Sequence, residues 1–222
     1  LRVSGAEARY DLEYGTASEL SELTGVPCKF EGTHYWFSSP ILDEDLLRGF
    51  VGSRKKILDI GAGNGTLLKK IIEYGVSSDQ LAGVDISGRA VERIQEIGTR
   101  AFHGTVLSVP DSEYDVVFLS YFVDRDADQR GTFEKSTEIL RSGGQIVLEG
   151  LFPCVLLDLN GISYGTANIT KGVDATEDIE LVIAKFAQLG VILRWIILGQ
   201  RFVYSLDGPE VLPSYILVFK KK

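Results

Sequence analysis

The chain has 222 residues, 45% of them hydrophobic and 24% charged, with a formal net charge of −8. That length suits one α/β domain with a large core, and the composition is that of an ordinary globular protein without repeats or low-complexity segments. No apolar run approaches a membrane span, the N-terminus lacks a basic-then-apolar signal pattern, and the acidic balance argues against a polyanionic partner. A cytoplasmic protein that binds neither membrane nor nucleic acid is therefore expected.

Residues 6 to 24 read as one or two short helices ending at Gly25-Val26-Pro27. Next comes a dense run, His34-Tyr35-Trp36-Phe37, ahead of a helix with Ser39 as N-cap, Pro40 in the first turn and acids at 43 to 45 beside the positive end of its dipole. Ile41, Leu42, Leu46, Leu47 and Phe50 give this helix an apolar face. Strand one is expected at 56–60, followed by a glycine loop and a helix carrying Leu67, Leu68, Ile71 and Ile72 that stops at Gly75. Strand two spans 81–86, and Ser87 caps a helix whose Val91, Ile94 and Ile97 recur at helical spacing. Strand three is 100–103. Strand four, 115–120, is a near-continuous apolar run, as in a strand buried on both faces. A helix from about 126 to 141 leads through Ser142-Gly143-Gly144 into strand five at 145–151.

This alternation implies a doubly wound parallel sheet with right-handed crossovers. The end of the chain differs. After a helix near 175–189, two β-rich runs at 191–204 and 214–221 are joined by Ser205-Leu206-Asp207-Gly208-Pro209, a turn sequence, and should pair antiparallel.

The chemistry concentrates where strand one ends. Asp59-Ile60-Gly61-Ala62-Gly63-Asn64-Gly65 is an acid followed by G-x-G-x-G, and strand two ends twenty residues later in Asp85-Ile86. Glycines permit the sharp turn and leave room for a ligand against the backbone, while Asp85 is placed to accept hydrogen bonds from a ribose diol. The spacing is not the dinucleotide G-x-G-x-x-G.

On these motifs the chain resembles the class I S-adenosylmethionine-dependent methyltransferases. Asp59, Gly61, Gly63 and Gly65 match the first family motif, and Asp85 and Ile86 match the second, with good agreement over residues 54 to 150. The resemblance implies S-adenosylmethionine as cofactor and a seven-stranded, mostly parallel Rossmann-like sheet with a C-terminal antiparallel hairpin. It implies a single methyltransferase domain over 1–222, divided into an N-terminal helical lid (1–53) and a catalytic core (54–222). The loop from Asp59 through Gly61, Ala62, Gly63 and Gly65 would lie beneath the methionine half. Asp85 would hold the ribose and Ile86 the adenine, with Thr105 and Val106 nearby; Thr105 stands where the family often has an acid. Ser120 would neighbour the methionine portion.

On the acceptor side, the resemblance points to Tyr121 after strand four, to Phe152 in the 152–174 loop, and to Tyr35 and Trp36 in the lid. These aromatics either line the pocket or pack as core. Residues 1 to 50 hold nine acids against four bases, which favours a small uncharged or cationic acceptor. His34 and Asp124 are the candidate general bases, although Asp124 also suits a helix cap. Cys28 and Cys154 have no metal-type spacing and read as free thiols, so no metal is expected. The expected reaction is methyl transfer to an O, N or C nucleophile of a small molecule, such as a secondary metabolite. The competing reading is a protein that keeps the fold and cofactor for a non-methylating reaction, as in a cyclase, or as a binding partner.

Overall fold

A computed structural model describes residues 29–31, 34–36, 44–52, 54–110, 113–120, 129–151, 175–205 and 208–222. In chain order the elements are β1 (Lys29–Glu31), β2 (His34–Trp36), α1 (Glu44–Phe50), β3 (Ile57–Ile60), α2 (Thr66–Glu73), β4 (Leu81–Asp85), α3 (Gly88–Glu96) and β5 (Arg100–His103). There follow β6 (Tyr114–Ser120), α4 (Gln129–Glu138), β7 (Leu140–Leu151), α5 (Ala175–Gln188), β8 (Val191–Ser205) and β9 (Gly208–Lys221).

The strands form one sheet in the order β1-β2-β8-β9-β7-β6-β3-β4-β5. Neighbours from β5 through β7 run parallel, and β9 inserts antiparallel between β7 and β8. These are the seven strands that the sequence implies, in a Rossmann-like methyltransferase arrangement. The hairpin β1–β2 is additional; it pairs Tyr35 with Tyr204 and Trp36 with Val203, extending the sheet beyond β8. Helix α1 is the described part of the helix expected before the first core strand; its expected start at Ser39 and Pro40 lies outside the described residues. The helices expected within 6–24, both cysteines and the loop 152–174 lie outside the described residues.

Strand alternation sorts side chains onto two faces. One face buries Leu58, Ile60, Val84, Val117, Leu119, Ile146, Leu148, Leu217 and Phe219 beneath Phe133 of α4 and Phe186 of α5. Phe186 packs at 4.7 Å from Phe133 and 4.4 Å from Phe219, ring centre to ring centre. The other face buries Ile57, Val116, Phe118, Val147, Ile216 and Val218 beneath Leu47 and Phe50 of α1, Leu67, Leu68 and Ile71 of α2, and Ile94 of α3. Gly83 in β4 permits the close approach on this second face. A Cβ there would stand 3.0 Å from Ala62, Leu68 and Ile94 side-chain atoms.

Opposite the strands' carboxyl ends, Asp115 is buried and accepts the Lys56 N–H at 2.7 Å while pairing with Arg141. Two lysines, Lys55 and Lys221, are bonded to backbone carbonyls. Lys55 Nζ donates to the Phe50 carbonyl at 2.7 Å, and burial lowers its pKa below the ordinary lysine value. Lys221 Nζ donates to the Thr137 and Leu140 carbonyls at 2.7 and 2.6 Å, closing the end of α4. No helix among the described residues is long and apolar enough to cross a membrane.

Candidate functional site

The site is built where β3 and β4 end side by side. After Ile60 the chain turns, and the N–H groups of Gly61 and Ala62 both donate to the Val84 carbonyl, at 2.9 and 3.2 Å. Gly61, Gly63 and Gly65 adopt φ of 70°, 52° and 71°, a left-handed region that side-chain-bearing residues seldom occupy. Gly65 then opens α2.

Asp85 organises this turn. Its Oδ2 accepts the Gly63 N–H at 2.9 Å, and its Oδ1 accepts the Ser87 N–H at 2.9 Å. Ser87 Oγ in turn accepts the Ala90 N–H, capping α3 as the sequence predicts. The carboxylate of Asp85 is 4% exposed, and Asp59, one strand over, is 2% exposed. A carboxylate offers about four lone-pair sites, and the Gly63 and Ser87 N–H groups are two of the donors that Asp85 accepts.

Beyond β5, the Gly104 N–H donates to the Asp85 carbonyl at 2.8 Å. His103 Nε2 bonds the Ile86 carbonyl at 3.1 Å, a structural role for that histidine. Thr105 Oγ1 accepts the Leu107 N–H at 3.3 Å, starting a short 3-10 turn. Val106 is fully buried in the first core face, whereas Leu107 is 55% exposed. The exposed side chains of this segment are therefore Thr105, Leu107 and Ser108, and Leu107 is not among the residues expected from the sequence.

The structure thus brings together Asp59, Gly61, Ala62, Gly63, Gly65, Asp85, Ile86, Thr105 and Val106 at the carboxyl ends of β3, β4 and β5. Ser120 closes β6 in register with Glu149 of β7. His34, Tyr35 and Trp36 occupy β2, at the far side of β8 from the glycine loop in the sheet order. Tyr121, Asp124 and Phe152 lie outside the described residues. Among the described residues no three His, Cys, Asp or Glu side chains are grouped to hold a metal ion. Glu149, fully buried, is another residue not expected from the sequence. Its signal is an acid inside the apolar run Ile146-Val147-Leu148-Glu149-Gly150-Leu151.

Comparison with known proteins bears on this arrangement directly. The family model described as a methyltransferase domain matches residues 41–160. A probable non-canonical nonribosomal peptide synthetase, CymA of Salinispora arenicola, is 30% identical over 142 residues. That match covers 58% of this chain but only 2% of the synthetase. A S-adenosylmethionine-dependent methyltransferase from Methanosarcina mazei superposes with a TM-score of 0.59 at 14% identity, covering 83% of this chain and 98% of that one. The [4+2]-cyclase SpnF superposes at 0.63 with 13% identity, covering 99% and 96%. At such identities the structural likeness establishes the fold.

The chain belongs to the methyltransferase-domain family. The cofactor that this membership implies is S-adenosylmethionine. The residues present fit that group: a turn of left-handed glycines tied through Gly63 to a buried carboxylate at the end of the next strand.

Proposed function

We propose that this chain transfers a methyl group to a small-molecule acceptor in natural-product assembly, on an amino-acid-derived or peptide-type nucleophile. The observation that carries the reading is the Asp85 bridge, one carboxylate holding the glycine loop through Gly63 and the α3 cap through Ser87. The similarity to a segment of a peptide synthetase supports the acceptor class, and the acidic N-terminal fifty residues favour it over nucleic acid.

In this reading Asp85 binds the ribose hydroxyls, Ile86 and the Thr105–Leu107 segment flank adenine, and the glycine loop admits the methionine half. S-adenosylmethionine supplies a methyl group already activated by its sulfonium. The protein's task is then alignment and exclusion of water. Ser120 and Tyr121 border the reacting region, while Tyr35, Trp36 and Phe152 shape the acceptor pocket. His34 and Asp124 are the bases proposed for an acceptor that must lose a proton.

The test is incubation with S-adenosylmethionine labelled in its methyl group and a panel of simple amines, phenols and aminoacyl N-acetylcysteamine thioesters. Labelled product together with S-adenosylhomocysteine is the expected result. Cofactor binding without either, across the panel, favours the second reading: a cofactor-binding protein of non-methylating chemistry, which the full-length likeness to the SpnF cyclase supports.

A further inference from the structure

Four carboxylates are buried among the described residues: Asp59, Asp85, Asp115 and Glu149. Asp115 is accounted for by Arg141 and the Lys56 N–H at the amino ends of the strands. The other three stand at the carboxyl ends, and strand register shows how two of them are related. Ile60 pairs with both Val84 and Leu119, and Leu119 pairs with Leu148. One residue further along, Asp85, Gly61, Ser120 and Glu149 therefore form a single row across β4, β3, β6 and β7, continued by Ile216 of β9.

Alternation puts Glu149 on the face of Val147, and Ile216 opposite it belongs to the same apolar cluster. Asp85 shares that face, since Gly83, two residues before it, opens onto Ala62, Leu68 and Ile94 of that cluster. The two carboxylates are thus three strand spacings apart, about 15 Å, on one face, with the glycine loop between them. Placing a carboxylate in such surroundings is costly unless it is hydrogen-bonded or paired. Glu149 does have partners within the fold. A carboxylate accepts on both oxygens, at about four sites in all.

We infer that Glu149 is the acceptor-side carboxylate of this site, facing the transferred methyl group from the opposite side of the loop to Asp85. The inference rests on the proposed methyl transfer and names the feature of the acceptor that the site selects, an N–H or O–H donor. The nitrogen or oxygen lone pair forms a bond to the methyl carbon, and the carbon–sulfur bond breaks with its electron pair left on sulfur. The proton of the N–H or O–H passes to the Glu149 carboxylate and then to solvent.

Sinefungin, which carries an amine where the cofactor has its methylsulfonium, probes this position without any acceptor. Calorimetry on the full chain should show tighter binding of sinefungin than of S-adenosylhomocysteine. Glu149→Gln should erase that preference, weakening sinefungin about tenfold or more and S-adenosylhomocysteine less than about twofold, as the loss of a charge-assisted hydrogen bond requires. Glu149→Asp, which keeps the charge one methylene shorter, should retain part of it. A wild-type chain with no preference, or a Glu149→Gln variant that alters both ligands equally or neither, overturns the assignment. If Glu149→Gln does not fold, the wild-type preference and Glu149→Asp decide alone. Failure of the wild type to bind either ligand would instead remove the cofactor site on which the inference rests.

Discussion

Asp85 acts on the protein before it acts on any ligand. Both of its oxygens already accept backbone N–H groups, so changing it alters the loop as well as the proposed ribose contact. Asp85→Ala is expected to weaken S-adenosylhomocysteine binding by about 1–3 kcal/mol, the range for hydrogen bonds to a charged group. Asp85→Asn should be nearly as harmful, because its NH2 must face either the Gly63 or the Ser87 N–H, two donors that then repel. Calorimetry gives the affinities, and amide exchange at Gly63 should quicken in both variants without ligand. An unchanged Gly63 amide in Asp85→Ala would show that the loop holds its shape unaided. At this scale the sequence was most informative for the glycines, whose left-handed turns follow from residue type, and for the place of Asp85 at the end of its strand. It was least informative for Glu149, whose meaning depends on which strands lie beside β7.

The elements of the parallel half were legible because each carries its own punctuation: apolar strands, a Ser87 cap, glycines ending helices. The strands β1 and β2 were not, since three-residue strands are too short to show any periodicity. Strand β9 also begins earlier than its apolar run suggests. Pro209 and Pro213 argue against a central strand. However, the pairing of β9 with β7 ends at Ser214, and both prolines pair only with β8, where an edge tolerates a missing donor. The lysine bonds at element ends were equally hidden, because a terminal Lys-Lys-Lys looks solvated until α4 is placed beside it. Lys221→Met removes the donor that satisfies the Thr137 and Leu140 carbonyls. We expect a loss of about 1–3 kcal/mol in urea unfolding, from two partly buried acceptors left unmatched. A midpoint equal to that of wild type would mean that water replaces the lysine without cost.

Across the whole molecule, the two sheet faces divide the labour. One is a continuous apolar core under α4 and α5, while the other gives way at the carboxyl ends of its strands to the carboxylates and the glycine loop. The N-terminal segment joins this body through β2 on the far end of β8, beyond the last residue of β7 in register. In the proposed function Tyr35 and Trp36 of this segment shape the acceptor pocket. Hydrogen exchange across 28–39 should then slow when S-adenosylhomocysteine is added, as expected of a segment that completes a site on closing. Equal exchange with and without the ligand would make the segment a fixed strap and move the acceptor pocket elsewhere.

The position of β9 also has a consequence for synthesis. The last strand of the chain is not at the rim of the sheet but in its interior, holding β7 and β8 together with Leu217, Val218 and Phe219 fully buried. While the ribosome is still making residues 208–221, β7 and β8 both lack their shared neighbour and expose unpaired strand edges. Such edges are sticky, and pairings distant in sequence form slowly. The nascent domain should therefore remain open to protease until β9 emerges, and then become resistant in one step. Stalled chains ending after residue 205 and after residue 222 plus a linker that clears the exit tunnel, digested side by side, would show the change. Equal resistance in the two would mean that the parallel half folds to stability by itself.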